Sequence, residues 1–350
     1  MSESPSAASS TADTKESSTA SGAATPKEKF RLDYKVHPFQ INTVELDFDL
    51  HEDFAFVQSR LQISRRPGSD SHADLVLDGE GLETLSVKVD RSEVPPDQLS
   101  IEPEKLTLTG LPSDFLLEIK VKIQPQLNTQ LSGLYRTSGT FCTQCEAEGF
   151  RRITWFLDRP DIMSRFLVRI EAENASYPVL LSNGNLIESG NVVPVLEHEA
   201  GQKDRHYAIW QDPFPKPSYL FALVAGDLGH IQDRFTTCSG REVDLYVYSE
   251  HRNVEHLSHA MESLIKSMKW DEDVFGLEYD LDIYNIVAVE DFNMGAMENK
   301  SLNVFNTQYV LASQETATDS DFEGVESVIG HEYFHNWTGN RVTCRDWFQL

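Results

Sequence analysis

Across 350 residues the chain carries 30 basic and 56 acidic side chains, a formal net charge of -26. That excess argues against polyanionic partners such as nucleic acid or an anionic membrane surface, and no apolar run approaches the roughly 20 residues that span a bilayer. Four cysteines in this length do not make a disulfide scaffold, so a reducing, cytoplasmic compartment fits best, and the chain is long enough for two domains.

Residues 1–28 are rich in Ser, Ala and Thr with almost no large apolar side chain, and are expected to form a disordered tail. They lack the apolar core of a signal peptide. Glu3, Asp13, Glu16 and Glu28, with no arginine, argue against a transit peptide. From 29 to 228 the pattern is β. Val44 to Leu50 alternates strictly, as do Leu106 to Leu108, Leu117 to Ile123 and Phe166 to Ala172. Asn183-Gly184, between Leu180-Leu181 and Leu186, predicts a hairpin. Cys142 and Cys145 have redox or zinc spacing without a second pair, which reads as a loop with free thiols. Short strands broken by Pro and Gly indicate a sandwich-like domain.

Beyond residue 228 the character changes. Val243 to Tyr248 predicts a strand, and Val254, Leu257, Met261, Leu264 and Met268 mark an amphipathic helix stopped near Gly276. Ile283 to Val289 is a further strand, leading into Gly295-Ala296-Met297-Glu298-Asn299. A last helix is expected from about Asp321 to Thr338, with Asp319, Ser320 or Asp321 as its N-cap and Gly339-Asn340 as its stop. Val325, Val328 and Ile329 would line its apolar side.

That helix contains His331-Glu332-Tyr333-Phe334-His335. Residues four apart share a helix face, so both imidazoles can grip one ion, and Glu332 lies one step round, within reach of a water in the ion's open position. Two histidines at this spacing are by themselves commonly a solvated pair. A glutamate between them on a capped helix favours zinc.

Together with Gly295–Asn299, this motif resembles the zinc aminopeptidase N family of gluzincin metallopeptidases, which remove N-terminal residues from peptides. Cys142 to Phe150, Trp210 to Pro217 and His331 to Leu350 resemble its bacterial-type alanyl aminopeptidase branch. The resemblance covers about Phe30 to Leu350. It implies a saddle-shaped all-β domain over 29–228, followed over 229–350 by the first half of an α+β thermolysin-like catalytic domain. It implies one Zn2+ held by His331 and His335, with Glu332 as general base. Glu298 and Glu146 would capture the substrate's α-ammonium group, Gln144 would be a weaker member of the same subsite, and Gly295, Ala296, Met297 and Asn299 would also bind the substrate, the backbone of the first three running beside it. The partners are then peptides with a free N-terminus, with no nucleic acid or membrane, and the protein is expected to be monomeric.

The same resemblance implies a third zinc ligand, a glutamate about 19 positions after His335 and so past Leu350, and further downstream a tyrosine that stabilises the oxyanion. On this reading the 350 residues are the N-terminal piece of an aminopeptidase or a truncated gene product, inactive alone. The alternative from another class is a non-catalytic, β-rich binding module with idle motif residues. An epoxide-hydrolysing branch of the family usually has a second glycine where Ala296 stands, which weighs against it.

Overall fold

The computed structural model describes Glu28, residues 30–193 and residues 204–349. The tail expected over 1–28 lies outside these residues apart from Glu28. Met1–Tyr34 and Lys35–Leu350 are separate units. In the first, Arg31–Asp33 forms a single 3-10 turn, with Asp33 Oδ2 accepting from the Phe30 amide at 2.9 Å.

The second unit is mostly β. Its largest sheet has eight strands, in the order Asn185–Asn191, Arg205–Lys216, Ser164–Glu173, Phe39–Leu50, Ala55–Arg65, Asp114–Ile123, Glu83–Val89 and Ser92–Glu93. Only the pairing of Phe39–Leu50 with Ser164–Glu173 is parallel. The alternation read in Val44–Leu50 is real: Val44, Leu46, Phe48 and Leu50 are buried while their neighbours are not. A bulge between Ile41 and Thr43 resets the phase, so Phe39 and Ile41 are buried as well.

Asn183-Gly184 does not form the expected hairpin. Val179–Ser182 belongs to a separate four-stranded sheet with Leu223–Gly226, Thr140–Gln144 and Gly133–Thr137, while Asn185–Asn191 joins the eight-stranded sheet. The pair is a crossing point. Buried Asn183 donates to the Leu220 and Lys300 carbonyls at 3.0 and 2.8 Å and accepts from the Ala222 amide at 2.8 Å. Gly184 has φ +92°, and a Cβ there would stand 2.1 Å from the Gln211 carbonyl oxygen. The expected cysteine loop is corrected too. Cys142 sits within the strand Thr140–Gln144, Cys145 follows it, and both are buried free thiols.

After Leu223–Gly226 comes a five-stranded mixed sheet in the order Gly229–Thr236, Glu242–Ser249, Ile283–Val289, Leu302–Asn306 and Ala296–Met297. Both its faces are covered. Ile286, Ala288 and Phe305 pack with two helices, α1 (Ser258–Phe275) and α2 (Asp319–Phe334). Val287, Val289 and Val304 instead join the core of the preceding sheets. Double coverage explains why Ile283–Val289 is apolar on both faces, apart from the buried Asn285. Among the described residues no helix is long and apolar enough to cross a membrane.

α1 buries Ala260, Met261, Leu264 and Met268 and ends on Gly276, whose φ of +67° forms a left-handed cap. Val254, expected within this helix, lies in the 3-10 turn His251–His256 that precedes it. α2 begins earlier and ends sooner than expected. Its N-cap is Thr318, which forms a capping box with Asp321: the Asp321 amide donates to Thr318 Oγ1, and Asp321 Oδ2 accepts from the Thr318 amide at 2.7 Å. Its last residue is Phe334, because the chain folds back after the C-cap residue His335 and the Asn340 amide donates to the His335 carbonyl at 2.9 Å.

Candidate metal centre

The final turn of α2 sets the geometry. His331 and His335 present their Nε2 atoms 3.1 Å apart, with ring planes near perpendicular at 88°. Two nitrogens on one tetrahedral zinc, each bound at 2.0–2.1 Å, lie about 3.3 Å apart, so the pair fits one ion. The Nδ1 of His335 is 2.7 Å from the Thr338 carbonyl oxygen. A carbonyl can only accept, so Nδ1 carries the proton and Nε2 is a free lone pair in the neutral ring. Burial, followed by the proximity of His335, lowers the pKa of His331 and favours the neutral form that ligates.

Three carboxylates converge on this pair. Glu332 is buried, and its Oε2 has no hydrogen-bond partner. Glu298, Glu332 and His335 each offer a ligand atom within 4.8 Å of the others. This cluster differs from the His331–His335 pair read in the sequence; His335 is common to both. Burial, then the negative charges of Glu298 and Glu146, push the Glu332 carboxyl up to about 8. Burial and Glu298 push Glu146 up to about 7, with His335 acting in the opposite sense. Carboxylates crowded so closely that two resist ionisation make a site that favours a cation.

Glu146 reaches this site from just beyond the strand Thr140–Gln144. The buried Gln144 donates from Nε2 to Met294 Sδ at 2.9 Å, and its Oε1 is without a partner. Gly295 is held by its carbonyl, which accepts from the Asn306 amide at 2.9 Å, and Tyr309 would stand 3.2 Å from a Cβ added there. Ala296 and Met297 form a two-residue strand at the edge of the five-stranded sheet, paired with Phe305 and Val304. Both residues are buried, on the strand that ends the sheet. Asn299 is fully buried with both amide atoms unpaired, beneath the string rather than on its surface.

Sequence reasoning missed the residues that tie these parts together. Asn340 donates from Nδ2 to the Glu298 carbonyl at 2.9 Å. Lys300 donates to Asn336 Oδ1 at 2.6 Å and also pairs with Asp280, which binds Arg341 in turn. In the sequence Asn340 reads only as a helix stop. Lysine followed much later by asparagine carries no pattern that would have signalled the rest.

Residues 30–220 match the Peptidase M1 N-terminal domain, and residues 259–350 match the Peptidase family M1 domain. The chain is 51% identical over 326 residues to aminopeptidase N of Caulobacter vibrioides and 53% identical over 325 residues to that of Escherichia coli, in each case across 93% of this chain and 36% of the relative. It thus spans little more than a third of the length of these curated relatives. Among solved structures, Legionella pneumophila aminopeptidase A in complex with aspartic acid superposes with a TM-score of 0.85 at 37% identity, over 91% of this chain and 37% of that one.

Proposed function

This chain belongs to peptidase family M1, and on that footing we propose that it supplies the metal clasp and the amine-binding carboxylates of a zinc-dependent aminopeptidase. The observation that carries this reading is the facing of His331 and His335 at 3.1 Å beside the buried, unpaired carboxylate of Glu332. His331 and His335 would hold the zinc. When bound, it would polarise the scissile carbonyl and acidify a water. Glu332 then takes the water proton and returns it to the leaving amine. Its raised pKa in the absence of a cation suits a group that must hold a proton during the cycle.

Glu298 and Glu146 receive the substrate's free ammonium group, and a blocked N-terminus leaves them unpaired and repelling one another. The outer edge of Ala296–Met297 offers backbone hydrogen bonds to an extended peptide. On this reading residues 29–228 form a β-rich domain that contributes Glu146, and 229–350 open the catalytic domain. The substrates are peptides with free N-termini, and the setting is cytoplasmic and monomeric.

We propose further that the 350 residues alone do not turn over. A catalytic zinc keeps three protein ligands. Among the described residues the carboxylates grouped with His335 are Glu298 and Glu332; the substrate amine requires the first and proton transfer the second. The test is zinc content with hydrolysis of an aminoacyl-anilide, by this chain and by a chain extended past Leu350. Hydrolysis by the extended chain alone, abolished by chelator, is expected. An extended chain without stoichiometric zinc that cleaves nothing from the amino end removes the proposal.

A further inference from the structure

We infer that Thr338, Gly339 and Asn340 act as one positioning clamp, which fixes the metal-binding imidazole with one arm and the amine-binding carboxylate string with the other. The inference rests on the zinc reading and extends it to residues that touch neither metal nor substrate. The Thr338 carbonyl accepts the Nδ1 proton of His335 at 2.7 Å, and two residues on the Asn340 amide side chain donates to the Glu298 carbonyl at 2.9 Å. Gly339 makes this possible. Its φ of +147° lies where L-residues are strained, and a Cβ there would stand 2.6 Å from His335 Nδ1.

The clamp is itself fastened. The Gly339 amide donates to the Val342 carbonyl at 2.9 Å, and buried Tyr219 donates its hydroxyl to the Gly339 carbonyl at 3.1 Å. Any side chain at 339 must therefore push the imidazole or break these bonds. Loss of a partner that orients a metal-bound histidine costs about 10–100-fold in metal affinity.

The experiment is Co(II) titration, followed by visible absorption, of this chain as wild type, Gly339→Ala and Gly324→Ala. Gly324 is a helix position in α2 with open space around it. Gly339→Ala is expected to weaken binding about 10–100-fold, with Gly324→Ala binding as wild type does. A second measurement needs no variant at 339: in the metal-free wild type, 15N-labelled histidine reports the His335 tautomer, assigned by comparison with His335→Gln. Nδ1–H is expected. Wild-type affinity in Gly339→Ala, or an Nε2–H tautomer at His335, overturns the clamp. Failure of the wild type to bind Co(II) would instead rule out metal binding by the two histidines of this chain alone, while the tautomer still decides the clamp's first arm.

Discussion

Removing the charge of Glu332 should stabilise the metal-free chain, and by an amount that depends on pH. Its folded pKa is raised from 4.5 to about 8, first by burial and then by Glu298 and Glu146. A carboxyl raised in this way binds more protons folded than unfolded. Its contribution is therefore favourable below about 4.5 and is lost as pH climbs towards about 8. At about 1.36 kcal/mol per pKa unit, the cost at pH 8.5 has an upper limit of about 5 kcal/mol. Glutamine leaves a buried amide that needs partners, and Glu146 shares in the relief, so about 2 kcal/mol is the working figure. The assay is urea unfolding of wild type and Glu332→Gln in excess chelator at pH 5 and pH 8.5. The variant is expected to gain about 2 kcal/mol more at pH 8.5 than at pH 5. An equal difference at both values would refute the raised Glu332 carboxyl as the cause.

In an extended, active chain the same Glu332→Gln change should keep its zinc and lose about 10²–10⁴-fold in kcat, as removal of a general base does; metal analysis and steady-state kinetics check both halves. Glu298→Ala should narrow the preference for free over acetylated peptides, read from the ratio of the two kcat/KM values, and a wild type that cleaves both equally defeats that role. Zinc added to the chelated 350-residue chain should raise its melting temperature, whereas His335→Gln should abolish the shift. Asn183→Ala should cost about 2–4 kcal/mol in urea unfolding, because it strips partners from two buried carbonyls and a buried amide at the meeting of two sheets.

What was legible in the sequence is what short-range periodicity fixes. Alternation over Val44–Leu50 reports a strand buried on one face, and the run Ile283–Val289 reports one buried on both. His331, Glu332 and His335 are legible for the same reason, since helix geometry alone sets their relative directions. Asn183-Gly184 misleads because its local signal is that of a turn while its work is long-range: its bonds go to Leu220, Ala222 and Lys300. The early start of α2 was missed because Asp319, Ser320 and Asp321 are all good caps, and only the reciprocal bonds with Asp321 single out Thr318.

The same division runs through the site. Each motif is compact in sequence, yet the carboxylates are useful only at fixed positions relative to the imidazoles, and that spacing is a property of the fold. It is maintained by Asn340 on the Glu298 carbonyl and Lys300 on Asn336, contacts that cross 42 and 36 positions of chain. Such contacts obey no period and have no composition of their own. The 2.6 Å bond between buried Lys300 and Asn336 is also little tolerant of displacement, because a slipped donor there finds no water to replace its partner. A substitution at Asn340 or Lys300 therefore moves the carboxylate string against the metal clasp without altering either motif.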